Sequence, residues 1–193
     1  MAMTGVVLAG GKSSRMQRNK ALLEMQGQTL MEHSLEVLQS SFAEVFISSN
    51  EQEFYTKYGV PIVPDKVGAQ GPLGGLQACL EVASYEVVFF TACDMPFIQG
   101  DVIAYLAQWT EQYDIVVPCT SSGEHYLHAY YNRRCLPIIT KNLKRNSFKV
   151  QSIYSACKVR YVREDELRQF GNPAKLFGNV NTPEEWARLQ LEE

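Results

Sequence analysis

The chain has 193 residues, of which 46% are hydrophobic and 20% are charged, and its formal net charge is −3. This composition is typical of a globular protein and excludes wholesale disorder, while the length favours a single domain. No apolar run approaches the roughly 18 residues that a membrane span needs, and the first residues lack the basic start of a signal peptide, so we expect no membrane association.

Short apolar runs alternate along the chain with segments of helical periodicity. In chain order the pattern predicts a strand at 4–9, a helix at 29–42, a strand at 44–49, a short helical piece at 51–57, a strand at 60–64, a helix at 72–83, a strand at 86–92, a helix at 101–109 and strands at 114–118, 126–132 and 159–163. A capping box of Thr182 and Glu185 predicts the start of a last helix. The alternation predicts an α/β fold, with a mostly parallel sheet and helices on both faces, in one domain over residues 1–193.

The charges are unevenly distributed. Residues 1–23 hold four basic side chains and no acidic one, and residues 125–163 hold nine basic side chains and no acidic one. Such stretches in an acidic protein indicate local sites for anions, although solvated surfaces are the ordinary alternative. The overall acidity gives no indication of a nucleic-acid partner. The five cysteines are widely spaced without a C-x-x-C pair, so we expect reduced thiols and a cytoplasmic location.

A glycine pair follows the first predicted strand in the sequence LAGGKSSRMQRNK, residues 8–20. Glycines there allow a sharp turn whose N–H groups can face an anion, and Arg15 and Lys20 add positive charge. Together these groups are suited to a triphosphate. The spacing matches neither the P-loop nor the dinucleotide fingerprint, and a glycine turn without a ligand is the alternative.

Two further motifs point to the same chemistry. Asp94, in TACDMPF (91–97), ends the most apolar strand, where a Mg²⁺ ion that bridges phosphates would need a hard oxygen ligand. A carboxylate that caps a turn is the alternative interpretation. The segment DKVGAQGPLGGLQ (65–77) has glycines that would let the backbone pass close to a flat ligand, or that form only a structural loop before a helix.

These motifs carry a family resemblance. LAGGKSSRM, Lys20, Asp65, GPLGGL, CDMP and NVNTPEE resemble nucleotidyltransferases that build pyrophosphate-linked compounds, and the combination is most similar to the molybdenum cofactor guanylyltransferases, over about residues 5–187. The resemblance implies a Rossmann-like nucleotidyltransferase fold that binds GTP and Mg²⁺ and transfers GMP to the phosphate of molybdopterin or the molybdenum cofactor. It also implies transient contacts with other cofactor-biosynthesis proteins and with recipient molybdoenzymes.

The resemblance also implies site residues. The nucleotide-binding positions, within a part of about residues 1–120, would be Leu8, Ala9, Gly10, Gly11, Lys20, Asn50, Asp65, Gly71, Gly75 and Asp94. Asp94 would bind the metal, and Arg15, Lys20 and Asp94 would form the catalytic set. The acceptor-binding positions, within a part of about residues 121–181, would be His128, Arg145, Asn179 and Asn181, with Lys149 an alternative to Arg145. We expect the basic stretch 125–163 to hold the acceptor, with Tyr126, Tyr130 and Tyr131 divided between ring contacts and the core.

Two positions depart from the family pattern. Gln17 stands where the family usually has glycine, and Asn19 stands where it usually has aspartate. These departures keep one alternative open, a nucleotide-binding regulatory protein with weakened catalysis. A related enzyme that uses another base or acceptor, such as a cytidylyltransferase, is a second alternative, which the GPLGGL motif disfavours. The histidines at 125 and 128 lack the H-E-x-x-H pattern, so zinc is not expected.

Overall fold

A computed structural model describes residues 1–10, 21, 23–25, 27–65 and 71–180. Its strands are β1 (Thr4–Leu8), β2 (Glu24–Met25), β3 (Gln28–Thr29), β4 (Glu44–Ser48), β5 (Ile62–Val63), β6 (Val87–Ala92), β7 (Ile115–Thr120), β8 (Gly123–Glu124), β9 (His128–Asn132) and β10 (Val159–Arg163). Its α-helices are α1 (Leu30–Ser41), α2 (Pro72–Val82), α3 (Gly100–Ala107), α4 (Leu136–Lys144), α5 (Glu164–Leu167) and α6 (Pro173–Leu176). Turns of 3₁₀ helix connect them at Gln52–Phe54, Thr56–Tyr58, Arg133–Cys135, Val150–Ala156 and Arg168–Phe170.

One mixed sheet organises the chain. Its strand order is β10-β7-β9-β6-β1-β4-β5, β8 pairs with β7, and β2 and β3 form a separate hairpin. The strands β6, β1, β4 and β5 are parallel to one another, and so are β7 and β10. Strand β9 lies antiparallel between β6 and β7, and it joins the two parallel groups into one sheet.

Helices cover both faces of this sheet, as the sequence predicted. Helices α1 and α3 pack together on one face, and α2 and α4 pack together on the other. Successive residues of the inner strands point to opposite faces, so Val6 joins the core beneath α2 and α4, whereas Val7 joins the core beneath α1 and α3. Burial on both faces explains why these strands read as continuous apolar runs.

The predicted strands and helices up to residue 120 are confirmed, with ends that differ by at most two residues. The piece predicted at 51–57 is two 3₁₀ turns, and the strand predicted at 60–64 is shortened to Ile62–Val63. Helix α4 was not predicted because it is short, carries Pro137 in its first turn and buries only Ile139 and Leu143. The helix predicted from Thr182 lies outside the described residues. Within the described ranges, the longest apolar helix is too short to cross a bilayer.

Candidate active site

The parallel strands β1, β4, β5 and β6 end at the same edge of the sheet, and the chain leaves each of them there. The N–H of Ala9 donates to the carbonyl of Ser48 (2.9 Å), and the N–H of Cys93 donates to the carbonyl of Leu8 (3.1 Å). The ladder of hydrogen bonds therefore continues one residue past the strands. Ligands of open α/β sheets bind at this kind of edge, beyond the carboxyl ends of the strands.

Asp65 is held at this edge by Asn50. The Asn50 side-chain oxygen accepts a hydrogen bond from the backbone N–H of Asp65 at 2.8 Å. Partial burial raises the pKa of the Asp65 carboxyl, and a side-chain hydrogen bond with Asn50 opposes that rise. The result is a half-buried acceptor group in a fixed place, while Asn50 itself remains exposed.

Gly75, in the first turn of α2, packs against the same strand ends. A Cβ atom at this position would lie 2.8 Å from Ser48 Oγ, 3.2 Å from Leu8 Cδ2 and 3.3 Å from Asp65 Oδ1. These distances are shorter than normal carbon contacts, so the helix approaches the strand ends as closely as it does only because residue 75 is glycine. We call Leu8, Ser48, Asn50, Asp65 and Gly75 the strand-end cluster.

Four of these five residues were predicted, and Ser48 was not. Ser48 is buried, and it forms a side-chain hydrogen bond with Cys79 that opposes the rise to about 12 which burial causes in the pKa of that thiol. A serine at the end of a strand belongs to no recognisable motif. Only the position of Gly75 against it reveals its place in the cluster.

Gly71 caps the N-terminus of α2 and links the cluster to a second region. Its φ of +75° is a conformation that favours glycine, and Pro72 follows in the first turn of the helix. A Cβ on Gly71 would lie 3.9 Å from the carbonyl oxygen of Phe148. The predicted residue Gly71 therefore lies between the strand-end cluster and the loop after α4.

That loop borders an open groove of about 640 Å³. Its lining includes Pro72, Tyr126, Asn146, Phe148, Lys149 and Gln151. Lys149 is thus a groove residue, whereas the predicted Arg145 is the exposed C-cap of α4, one residue before Asn146. Of the three tyrosines considered, Tyr126 lines the groove, and Tyr130 and Tyr131 are buried in the core.

Asp94 follows β6 in a turn and is half-buried. Its backbone carbonyl accepts a hydrogen bond from the N–H of Val180 at 2.9 Å, which brings the exposed residue Asn179 beside the same turn. In the part of the chain that the structure describes, no three His, Cys, Asp or Glu side chains converge into a metal cluster. A single carboxylate nevertheless fits Mg²⁺, which keeps several waters and takes further ligands from substrate phosphates.

His128 lies in the core at the start of β9. Its Nδ1 is 3.4 Å from Thr91 Oγ1, and its ring contacts Phe89 and Phe177 edge to face. Burial, with a smaller contribution from the neighbouring His125, lowers the pKa of His128 to about 3. With the ring 1% exposed, this conformation is suited to supporting the sheet edge; contact with an acceptor would require the ring to become exposed.

The basic stretch 125–163 has more than one structural role. Arg134 pairs with Asp114 at 2.8 Å, Arg133 pairs with Glu86 at 3.5 Å, and Arg160 pairs with Glu166. All three acidic partners lie outside the stretch in sequence. The stretch as a whole is therefore not one anion site. Of its basic residues, Lys149 lines the groove.

Several predicted residues lie outside the described residues: Gly11, Arg15, Lys20 and Asn181. Ala9 and Gly10 are described, and Gly10 is exposed directly after the first strand. The structure therefore brings Leu8, Asn50, Asp65 and Gly75 together and places Asp94 beside Asn179, and it leaves the triphosphate loop as a prediction.

Comparison with known proteins agrees with this geometry. A family model described as "MobA-like NTP transferase domain" matches residues 5–163. The chain belongs to the MobA-like NTP transferase family. Members of this family are nucleotidyltransferases, so this chain is a nucleotidyltransferase.

The MobA-like chain is similar over nearly its whole length to curated relatives. It is 37% identical to a probable molybdenum cofactor guanylyltransferase from Pelotomaculum thermopropionicum, and the alignment covers 97% of this chain and 92% of the relative. It is 33% identical to a molybdenum cofactor guanylyltransferase from Desulfosudis oleivorans, covering 98% and 95%. Among solved structures, molybdopterin-guanine dinucleotide biosynthesis protein A from Archaeoglobus fulgidus has a TM-score of 0.86 at 22% identity, covering 98% and 97%. That last likeness confirms the predicted Rossmann-like nucleotidyltransferase fold.

Proposed function

We propose that this MobA-like nucleotidyltransferase transfers GMP from GTP to the terminal phosphate of molybdopterin or the molybdenum cofactor, forming the guanine dinucleotide and releasing pyrophosphate. The observation that carries the proposal is the strand-end cluster, in which a half-buried carboxylate and a glycine helix turn meet at the carboxyl edge of the sheet. The names of the curated relatives support the same acceptor and the same base.

The base is recognised by Asp65. An ionised carboxylate only accepts hydrogen bonds, and guanine presents an amino donor that adenine lacks at the same position. Gly75 lets helix α2 pack close to the strand ends, because any side chain there would collide with Ser48 and Leu8, and this packing keeps the Asp65 carboxylate beside the first turn of the helix. The Asn50 hydrogen bond fixes the backbone that carries the carboxylate.

The acceptor occupies the open groove. The groove begins at Pro72, directly after the N-cap of α2, so its ligand would lie next to the nucleotide. Tyr126 and Phe148 offer apolar surface to a flat ring, and Lys149 offers a positive charge to a phosphate.

The reaction needs positioning and charge neutralisation more than covalent chemistry. The acceptor phosphate attacks the α-phosphorus of GTP, the bond to the β-phosphate oxygen breaks, and pyrophosphate leaves. A phosphate monoester has its second pKa at about 6, so it is already largely ionised at neutral pH and needs no strong general base. The burial of neutral His128 agrees with this.

Asp94 and the neighbouring Asn179 would hold Mg²⁺, and Arg15 and Lys20 would stabilise the departing pyrophosphate. When bound, the ion supplies charge neutralisation and polarises a phosphate oxygen. The protein would act in the cytoplasm, where cofactor-biosynthesis proteins and recipient molybdoenzymes would meet it transiently.

The test is a pyrophosphate-release assay with the purified chain, Mg²⁺, molybdopterin and each of the four NTPs separately. We expect release with GTP only, and none when molybdopterin is omitted or EDTA is added. Release with CTP but not GTP would instead identify a cytidylyltransferase. GTP binding without release would identify a regulatory protein that binds the nucleotide and does not use it.

A further inference from the structure

Two cysteines outside the candidate active site lie in contact. Cys135 ends the 3₁₀ turn after β9 and is buried, and Cys157 is half-buried just before β10. Their sulfur atoms are 3.9 Å apart, and both thiols are free. The two residues are 22 positions apart in sequence, so the contact is made by the fold and not by a local motif.

Asp114, directly before β7, holds the two cysteine-bearing segments together. Its carboxylate accepts hydrogen bonds from Arg134 Nε (2.8 Å) and from the backbone N–H of Lys158 (2.9 Å). Its backbone N–H donates to the carbonyl of Lys158 at 2.8 Å, and its carbonyl accepts from the N–H of Asn132 at 2.8 Å. Arg134, next to Cys135, and Lys158, next to Cys157, are therefore both hydrogen-bonded to Asp114.

Burial acts to raise the pKa of Asp114, but the hydrogen bonds from Lys158 and Arg134 outweigh it and keep that pKa below its usual range. The clamp thus stays ionised at neutral pH. The positions of the two segments are fixed by hydrogen bonds to a charged acceptor, which are stronger than hydrogen bonds between neutral groups.

The two thiols differ in chemical character. A hydrogen bond with the Cys135 thiol lowers the pKa of Cys157. The contact with Cys157, together with burial, raises the pKa of Cys135. Cys157 is also the more exposed of the two. A thiolate is the nucleophilic form of cysteine, so Cys157 is the group that an oxidant would meet first.

We propose that Cys135 and Cys157 are a redox site that forms an intramolecular disulfide with hydrogen peroxide as the oxidant. The Cys157 thiolate attacks one peroxide oxygen, the S–O bond forms as the O–O bond breaks, and hydroxide leaves. The sulfur of Cys135 then attacks Cys157 Sγ, the S–S bond forms as the S–O bond breaks, and the oxygen leaves as water with the proton of Cys135. Two thiols and one peroxide give one disulfide and two waters, a two-electron exchange.

The cross-link would restrain part of the groove. The sulfur atoms must approach from 3.9 Å to about 2.05 Å, and the bond would then tie the Cys157 segment to the Cys135 segment. The 3₁₀ turn Val150–Ala156 leads directly into Cys157, and it begins among the groove residues. Oxidation should therefore slow amide hydrogen exchange over residues 146–157.

The experiment uses the whole chain treated with hydrogen peroxide, followed by intact-mass measurement and a peptide map without reductant. We expect a loss of about 2 Da, a peptide that joins Cys135 to Cys157, and a melting temperature raised by about 5–10 °C, all reversed by dithiothreitol. The Cys119→Ser variant is the matched control, because Cys119 is a partly exposed cysteine of β7, and it should behave as the unmodified chain does.

The single variants separate the two roles. Cys135→Ser should stop at a sulfenic acid on Cys157, a gain of about 16 Da that a dimedone probe captures. Cys157→Ser should show neither the cross-link nor the sulfenic acid at Cys135. The proposal is overturned if the unmodified chain loses no mass, or if the peptide map joins any other pair of cysteines.

Discussion

The strand-end cluster and the open groove lie side by side at one edge of the sheet, but they are built in different ways. The cluster is made by backbone: strands β1, β4 and β5 end together, and helix α2 packs so closely on them that a Cβ at residue 75 would lie 2.8–3.3 Å from Ser48, Leu8 and Asp65. The groove is an open space of about 640 Å³ between side chains from separate segments. The cluster should therefore be sensitive to added atoms, and the groove should be sensitive to lost charges.

The largest expected effect lies at Asp94, in the turn that follows strand β6. Strand β6 lies between β1, whose last residue belongs to the cluster, and β9, which follows the groove residue Tyr126. Asp94→Asn keeps the shape and removes the charge, and we expect kcat to fall about 10³-fold, equivalent to about 4 kcal/mol. Pyrophosphate release measures the loss.

Asp101→Asn is the control for this change, because Asp101 is exposed in the first turn of α3. It should keep wild-type kcat and lose no more than about 1 kcal/mol of stability. An Asp94→Asn enzyme with undiminished turnover would remove Asp94 from the metal and catalytic roles.

The tightness of the cluster is tested at two adjacent glycines of α2. A Cβ at residue 75 would be 2.8 Å from Ser48 Oγ, whereas a Cβ at residue 74 would be 3.4 Å from the nearest atom, Asp65 Oδ2. We expect Gly75→Ala to weaken GTP binding about 30-fold, equivalent to about 2 kcal/mol, because Ser48, Leu8 or the helix must move. Isothermal titration calorimetry measures the affinity.

Gly74→Ala should instead keep GTP affinity within about twofold and gain up to about 1 kcal/mol of stability, because alanine is the better helix former. If the two variants bound GTP equally well, close packing at residue 75 would not be what shapes the cluster.

The same contrast explains what could be predicted from the sequence. Leu8, Asn50, Asp65 and Gly75 belong to motifs at or after the ends of strands, and the parallel arrangement of those strands brings the motifs together at one edge. Alternating apolar runs and helical periodicity also predicted the strands and helices up to residue 120, except for the short strands β2 and β3. Both predictions rest on local patterns combined with one rule of topology.

The groove could not be predicted in this way. Its walls come from the start of α2, the segment before β9 and the loop after α4, and no sequence pattern records that these meet. The charge count was also insufficient, because Arg133, Arg134 and Arg160 pair with acids elsewhere in the chain. Strand β9 inserts antiparallel between β6 and β7, which an alternation of strands and helices does not predict.

The stability of the folded chain should depend on pH through His128, which packs against Phe89 of β6. Its pKa in the folded chain is about 3, below the ordinary value of 6.5, so the unfolded chain takes up a proton first as the pH falls. The stability that depends on the neutral ring is complete above pH 6.5 and is lost as the pH falls toward 3. We expect His128 to account for about 2 kcal/mol of the stability lost between pH 7 and pH 5.

Urea denaturation at each pH measures this effect in the unmodified chain and in His128→Leu. Between pH 7 and pH 5, the variant should lose about 2 kcal/mol less stability than the unmodified chain. Because the ring is buried, the difference should be similar at low and high salt, whereas effects of surface charges are screened. Equal pH slopes in the two proteins would show that His128 is not the group responsible.

The smallest expected effect distinguishes two basic residues near the groove. Lys149 lines the groove, and Arg145 is exposed at the C-cap of α4 outside that lining. We expect Lys149→Ala to raise the KM for molybdopterin about 5- to 10-fold while the KM for GTP and kcat stay unchanged, because a groove charge that holds the acceptor contributes equally before and during the reaction.

Arg145→Ala is the matched comparison and should change the KM for molybdopterin by less than about twofold. The effect of Lys149→Ala should also shrink as the salt concentration rises, since the groove is open to solvent and its charges are screened. If Arg145→Ala had the larger effect at every salt concentration, the acceptor phosphate would lie at the end of α4, and the groove beside Pro72 would not be its binding site.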